Sequence, residues 1–178
     1  SECFAPSFLS RVEERVMAYT VLIVCSGNTC RSPMAEALLR RQIERVGDAR
    51  RLRVTSAGTW GPADAPAAEL SQRLLAQEGL DLSTHRSRLL TQRDIDEADL
   101  ILVMTRAHKS DITQRFARAG DKLYLLSEMI GKHDDIADPH GGELADYKAC
   151  KKAMDGIITK GYERIVSLAL RLERNKRR

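Results

Sequence analysis

The 178-residue sequence has few aromatic side chains, few cysteines and no long apolar run. Aromatic residues make up 4% of the chain and do not alternate with basic ones, which argues against a nucleic-acid-binding protein. Four cysteines are too few for a disulfide framework in a chain of this length, so we expect a reducing, cytoplasmic environment. No apolar stretch approaches the roughly 18 residues that a membrane span needs. Residues 1–17 lack the continuous apolar segment of a signal peptide.

The remaining composition is typical of one soluble globular domain. Hydrophobic residues make up 43% of the chain and charged residues 30%, and 178 residues can bury one sizeable core. The net charge of +4 indicates either an ordinary basic surface or an attraction for anions such as phosphates. Met17 stands just before the first apolar segment. We therefore expect an extension outside the fold over residues 1–18, the domain over 19–174 and a basic tail over 175–178.

Four short apolar segments alternate with segments that have helical periodicity. The predicted strands cover residues 19–25, 52–58, 98–104 and 122–126. Predicted helices begin at Ser32-Pro33 with Ser32 as N-cap, near residue 66, near residue 91 and at residue 106, and a long last helix is softened at Gly156 and Gly161. The alternation predicts a single α/β domain with a four-stranded parallel sheet and helices on both faces, Rossmann-like or flavodoxin-like. Ligands of such sheets bind beyond the carboxyl ends of the strands, where Cys25 lies.

The segment from Cys25 to Ser32 has the composition of an anion-binding loop between a strand and a helix. Gly27 allows a close approach of the backbone, and Asn28 tolerates a left-handed conformation. The loop N–H groups and the helix N-terminus can face an anion, and the Arg31 guanidinium can hold two phosphoryl oxygens. Such an electropositive loop favours the thiolate, the nucleophilic form of cysteine. A hydroxyl at Ser32 could donate to that sulfur.

These segments resemble the low-molecular-weight protein phosphatase family. The resemblance includes "VCSGNTCRSPMAE" (24–36), "SAGT" (56–59), "ADLILVMTRAHK" (98–109) and "DP" (138–139), in that order. It implies a cytoplasmic hydrolase that acts on phosphorylated proteins through a phosphocysteine intermediate, with no metal and no other cofactor. The implied catalytic residues are Cys25, Arg31 and Asp138. The implied phosphate-binding loop consists of Ser26, Gly27, Asn28, Thr29, Cys30 and Ser32. The resemblance implies nothing about oligomeric state.

Asp138 is the candidate general acid. Pro139 restricts the aspartate toward an extended conformation, and Gly141-Gly142 allow the loop to turn back. On local sequence alone, a solvated loop aspartate is the alternative, and the family's Asp-Pro motif favours catalysis. Asp134 and Asp135 do not precede a proline and fit the motif less well.

Ser56 and His85 correspond to family positions that brace the loop through Asn28 and Ser32, although His85 could also be a core histidine. Trp60 and His140 are expected at the substrate cleft, with plain packing as the alternative for Trp60.

The sequence predicts less specific roles for the other histidines and cysteines. His108, His133 and His140 have no metal-ligand spacing and are expected at the surface. Cys30 could form a reversible disulfide with Cys25 or only pack in the loop. Cys150 lies on the apolar stripe of the last helix and is expected in the core.

Two features resemble the bacterial protein-arginine-phosphatase branch. Thr29 occupies a position where many relatives have an aliphatic residue, and "DPHGG" lacks the aromatic residues that often follow Asp-Pro. We therefore expect protein phosphoarginine as substrate, with phosphotyrosine as the alternative. A thiol arsenate reductase needs two more closely spaced cysteines, and residues 31–149 contain none. A phosphocarrier or a non-catalytic binding module would not need Cys25, Arg31 and Asp138 together.

Overall fold

The computed structural model describes residues 18–176, and side chains as far as residue 171. The predicted extension falls almost entirely on residues 1–17, outside the described residues, and the end of the predicted basic tail (177–178) also lies outside them.

Strands and helices alternate along the described chain, as the sequence predicts. The strands are β1 (Tyr19–Cys25), β2 (Leu52–Gly58), β3 (Leu100–Val103) and β4 (Leu123–Leu125). The α-helices are α1 (Arg31–Val46), α2 (Glu69–Ala76), α3 (Gln92–Glu97), α4 (Arg106–Arg115) and α5 (Leu144–Lys176). Two 3₁₀ helices, Ala117–Lys122 and Leu126–Ile130, flank β4 and leave it shorter than the sequence suggests.

The sheet is four-stranded and parallel, in the order β2-β1-β3-β4, which confirms the predicted α/β fold. The chain moves to one side of β1 to form β2 and to the other side to form β3. Such a switch point opens a crevice at the carboxyl ends of the strands, where open α/β sheets bind their ligands. Cys25, the last residue of β1, lies at this crevice.

Each face of the sheet has its own layer of helices because strand side chains alternate. Val21, Ile23 and Cys25 pack in one apolar cluster with α1 and α5, whereas Leu22 and Val24 pack in a second cluster with residues of α3 and α4. Since both faces are covered, β1 from Val21 onward and all of β3 are apolar rather than alternating with polar residues.

The start of α1 differs from the prediction that Ser32 is its N-cap. The helix begins at Arg31, Cys30 is the N-cap and makes no side-chain capping hydrogen bond, and Ser32 lies within the first turn. The hydroxyl of Ser32 instead faces the Cys25 sulfur. The predicted end of the helix is confirmed, because Gly47 takes the left-handed conformation (φ 88°) that terminates α1.

The prediction that glycines soften the last helix is wrong, since α5 is continuous from Leu144 to Lys176. At Gly161 a Cβ would stand 2.7 Å from the Cβ of Met129, so this glycine allows close packing rather than a bend. Among the described residues, no helix is both long and apolar enough to span a membrane.

Candidate active site

The loop between β1 and α1 forms an anion-binding concavity. Asn28 adopts a left-handed conformation with φ 55°. Within residues 18–176, the backbone N–H groups of the loop from Gly27 to Cys30 make no hydrogen bond to the protein. Together with the N-terminus of α1, these groups can bind an anion at the end of the central strand.

A network of hydrogen bonds around the buried Asn28 side chain holds the loop in shape. Asn28 Oδ1 accepts from the backbone N–H of Arg88 (3.0 Å), which orients the amide. Asn28 Nδ2 then donates to both Ser32 Oγ and Ser56 Oγ, each at 2.9 Å. Ser56 Oγ in turn donates to Glu36 Oε2 at 2.5 Å, so the Asn28 amide and the Ser56 hydroxyl both have partners.

The predicted bracing residues Ser56 and His85 both contact Asn28. His85 is half-buried, and its Nε2–H donates to the main-chain oxygen of Asn28 at 2.7 Å. Glu36, one turn into α1, was not singled out in the sequence. The sequence could have indicated its role, because a carboxylate on the buried side of a helix needs a hydrogen-bond donor nearby.

Asn28→Ala is expected to lower the free energy of unfolding by about 3 kcal/mol, since it removes three buried hydrogen bonds worth about 1 kcal/mol each. Chemical denaturation measures this change. Asn28→Gly is the matched variant, because it removes the same bonds but relieves the left-handed strain of about 1 kcal/mol. An Asn28→Ala protein as stable as the parent would show that the network does not support the loop.

The residues that follow β2 hold the start of the loop through backbone hydrogen bonds. Thr59 N donates to Cys25 O at 2.9 Å, and Trp60 N donates to Ser26 O at 3.1 Å. A Cβ at Gly58 would stand 2.5 Å from Ser26 O, so only glycine allows this approach. This close contact explains why a glycine stands in the "SAGT" segment.

The Cys25 side chain lines a pocket although it is only 2% exposed. Its Sγ lies 3.0 Å from Ser32 Oγ. Because Ser32 Oγ already accepts from Asn28 Nδ2, its proton is available to the sulfur. The arrangement can stabilise negative charge on Sγ.

Arg31 and Asp138, 107 residues apart in the chain, meet at the same pocket. The buried Arg31 donates from Nη1 to Ile136 O (3.0 Å) and from Nη2 to Asp138 Oδ2 (2.7 Å) and Ser26 Oγ (3.3 Å). The Asp138 side chain is 43% exposed, and its Oδ1 accepts from the backbone N–H of His140 at 3.1 Å. Asp138 therefore faces solvent and the pocket at once, as a group that exchanges protons with a substrate must.

The pocket has a volume of about 330 Å³ and places most of the predicted site residues together. Its lining comes from the loop, the segment after β2 and the Asp138 loop: Cys25, Ser26, Gly27, Thr29, Cys30, Arg31, Trp60, Gly61, Pro62, Asp138 and His140. Trp60 is 70% exposed, so of its two predicted roles the structure favours a wall of the cleft over core packing.

Cys30 and Cys150 are both buried free thiols, as is Cys25. Cys30 Sγ lies 3.5 Å from the hydroxyl oxygen of Tyr147, a residue that the sequence placed only on the apolar stripe of α5. Burial raises the pKa of the Cys150 thiol to about 12, which makes it an unreactive core cysteine as expected.

The prediction that His108 lies at the surface is wrong. Its side chain is buried behind the loop, and its Nε2 lies 2.8 Å from Ser26 Oγ. Burial, with the neighbouring Arg31 charge, lowers the pKa of His108 to about 4. Local sequence could not reveal this, because Ser26 and His108 are 82 residues apart. His133 is 76% exposed, as expected.

The chain is similar in sequence to proteins of one known family. A model of the low molecular weight phosphotyrosine protein phosphatase family matches residues 20–168. The chain is 38% identical over 151 residues to a protein-arginine-phosphatase of Geobacillus stearothermophilus, covering 84% of this chain and 97% of that one. It is 39% identical over 132 residues to a probable low molecular weight protein-tyrosine-phosphatase of Ralstonia nicotianae, covering 74% and 86%.

A solved structure has the same fold. The YwlE arginine phosphatase from Geobacillus stearothermophilus superposes with a TM-score of 0.76 at 36% identity, over 86% of this chain and 96% of that one.

Proposed function

This chain belongs to the low molecular weight phosphotyrosine protein phosphatase family, and on that premise we propose that its preferred substrate is phosphoarginine in proteins. The chain is a cysteine-dependent hydrolase of phosphorylated proteins. One observation supports the assignment of its catalytic groups: Cys25 and Arg31 line one pocket at the end of the central strand together with Asp138, which is 107 residues from Arg31 in sequence.

In the first step, Cys25 acts as nucleophile toward the phosphorus atom. The S–P bond forms as the bond from phosphorus to the leaving nitrogen breaks, and the Asp138 carboxyl gives its proton to that nitrogen. The free loop N–H groups and the Arg31 guanidinium hold the three equatorial oxygens, on which the negative charge spreads. The products of this step are an unmodified arginine side chain and a phosphocysteine.

In the second step, water replaces the sulfur. Asp138, now a carboxylate, takes a proton from the water as its oxygen attacks phosphorus, and the S–P bond breaks. Ser32, 3.0 Å from Sγ, donates a hydrogen bond to the departing thiolate. Inorganic phosphate leaves, and Cys25 returns to its initial state.

Thr29 supports the preference for phosphoarginine. It lines the pocket with a hydroxyl, which can accept a hydrogen bond from a guanidinium N–H. His140, rather than an aromatic hydrocarbon, follows Asp138-Pro139 at the mouth. A phenyl ring could therefore stack on Trp60 alone among the described Phe, Tyr and Trp residues, whereas a charged guanidinium could use both the Thr29 hydroxyl and the Trp60 ring.

Thr29→Ile is expected to lower the ratio of kcat/KM for phosphoarginine peptides to that for matched phosphotyrosine peptides by about tenfold, the value of roughly one hydrogen bond to a charged group. A competition assay with both peptides in one reaction measures the ratio. Thr29→Ser is the matched control, because it keeps the hydroxyl. An unchanged ratio in Thr29→Ile would show that Thr29 does not determine the substrate preference.

Phosphotyrosine is the second candidate substrate because the exposed Trp60 ring at the pocket can stack on a phenyl ring. The same competition assay separates the two. A parent protein that prefers the phosphotyrosine peptide would favour this alternative while leaving the phosphatase mechanism intact.

Phosphorylated proteins are the partners that the family acts on. We place the protein in the cytoplasm as part of the proposal, since the described cysteines are all free thiols and a reducing compartment keeps Cys25 reactive.

A further inference from the structure

We propose that His108 is a positioning residue that acts through Ser26. In this arrangement a neutral His108 imidazole, with its proton on Nε2, donates to Ser26 Oγ and so directs the Ser26 hydroxyl proton toward the phosphoryl group. The inference rests on the proposed function, because it assigns a role within the same pocket.

Thr105 hydrogen-bonds the other ring nitrogen of His108. Thr105 is the N-cap of α4, and its Oγ1 accepts from the backbone N–H of His108 at 3.2 Å. The same Oγ1 lies 3.0 Å from His108 Nδ1. In the proposed arrangement the Thr105 hydroxyl donates its proton to Nδ1, which is the unprotonated nitrogen, while the same oxygen accepts the capping bond.

Ser26 Oγ then accepts two hydrogen bonds. The His108 Nε2–H donates at 2.8 Å, and Arg31 Nη2 donates at 3.3 Å. A hydroxyl has two acceptor sites and one proton. With both acceptor sites occupied, the Ser26 proton is left for a third group, and Ser26 lines the pocket in which the phosphoryl oxygens bind.

The opposite tautomer would remove the phosphate-directed proton. With the proton on Nδ1, the Thr105 hydroxyl oxygen would accept from the ring, and Nε2 would accept the Ser26 proton. Ser26 would then present no donor to a phosphoryl group. A doubly protonated ring is disfavoured because His108 is 7% exposed and close to the positive charge of Arg31.

Histidine ¹⁵N NMR tests the tautomer directly on the whole protein, independently of activity. The four histidines in the sequence are resolved by comparison with a His108→Gln spectrum. The proposal expects a His108 ring with a protonated Nε2 and a bare Nδ1 at neutral pH. A protonated Nδ1, alone or together with Nε2, would overturn it.

Kinetics then test whether the hydrogen bond contributes to phosphate recognition. His108→Leu is expected to lower kcat/KM and to weaken competitive inhibition by inorganic phosphate, each by roughly tenfold, the value of about one hydrogen bond to a charged group. His108→Gln keeps a side-chain N–H donor and is expected to recover most of this loss. Unchanged phosphate inhibition in His108→Leu, or equal losses in the two variants at equal thermal stability, would contradict the proposal.

A double-mutant cycle distinguishes action through Ser26 from a general structural effect. Ser26→Ala combined with His108→Leu is expected to lose no more activity than Ser26→Ala alone, because the second change removes nothing further from the substrate. Additive losses would indicate that His108 acts elsewhere. Failure of the proposed function can be distinguished from failure of the His108 proposal, because in the first case the parent protein itself would not hydrolyse phosphorylated substrates.

Discussion

Cys25→Ser is expected to lower kcat for para-nitrophenyl phosphate by on the order of 10⁴-fold or more, as the loss of a nucleophile does in an enzyme whose catalytic groups act as a unit. A thiolate is the reactive form of cysteine, and the Ser32 hydroxyl, 3.0 Å from Cys25 Sγ, can donate a hydrogen bond to it. A serine hydroxyl at the same place has no adjacent base to activate it. Steady-state turnover measures the loss, and mass spectrometry of acid-quenched enzyme detects the phosphocysteine in the parent protein.

Cys150→Ala is the matched control for this prediction. Cys150 is also buried, but it lies on α5 and its thiol is kept neutral by burial. The variant should therefore keep the parent kcat even if the smaller side chain lowers thermal stability. If turnover survives in Cys25→Ser and disappears in Cys150→Ala, Cys25 is not the nucleophile.

Asp138→Asn is expected to lower kcat by about 10²–10⁴-fold, the contribution of a positioned general acid–base group. The amide cannot deliver a proton to the leaving nitrogen or take one from water, although it has nearly the same shape. The loss should be largest for phosphoarginine, whose nitrogen must be protonated to leave, and smaller for para-nitrophenyl phosphate, whose leaving group is already a stable anion. Comparing kcat on both substrates measures the difference.

Asp134→Asn provides the control, because it changes a carboxylate of the same loop whose side chain does not line the pocket of Cys25. We expect parent-like kcat on both substrates. Equal losses on the two substrates in Asp138→Asn would indicate that Asp138 mainly orients Arg31, with which it shares a 2.7 Å ion pair, and does not transfer the proton.

The shape of the loop between β1 and α1 could be predicted from sequence because its geometry is local. Cys25 ends a strand, Arg31 begins a helix, and few residues connect them, so chain connectivity alone confines the loop. The left-handed conformation of Asn28 follows from the same local constraints. The parallel sheet could also be predicted from sequence. Apolar strand segments alternate with helical segments, and parallel neighbours need such crossover connections.

Helix ends and partners across the fold were harder to predict. Ser32 has the residue type of an N-cap, but its hydroxyl is used by Cys25 and Asn28 instead. Gly161 has the residue type of a helix breaker, yet packing against Met129 keeps it within α5. At Gly161 a tertiary contact overrides the local preference, whereas the partners of Ser32 lie four and seven residues before it, in the loop and at the end of β1.

By itself, the sequence determined the loop that connects Cys25 to Arg31 and the order of strands and helices, because both depend on neighbours along the chain. Only the tertiary structure decided that Asp138 pairs with Arg31 and that His108 lies behind Ser26. Those pairs are separated by 107 and 82 residues, so their contact depends on how the helices and loops pack around the sheet. Distances of a few ångströms between remote side chains arise from that packing, and no local pattern encodes them.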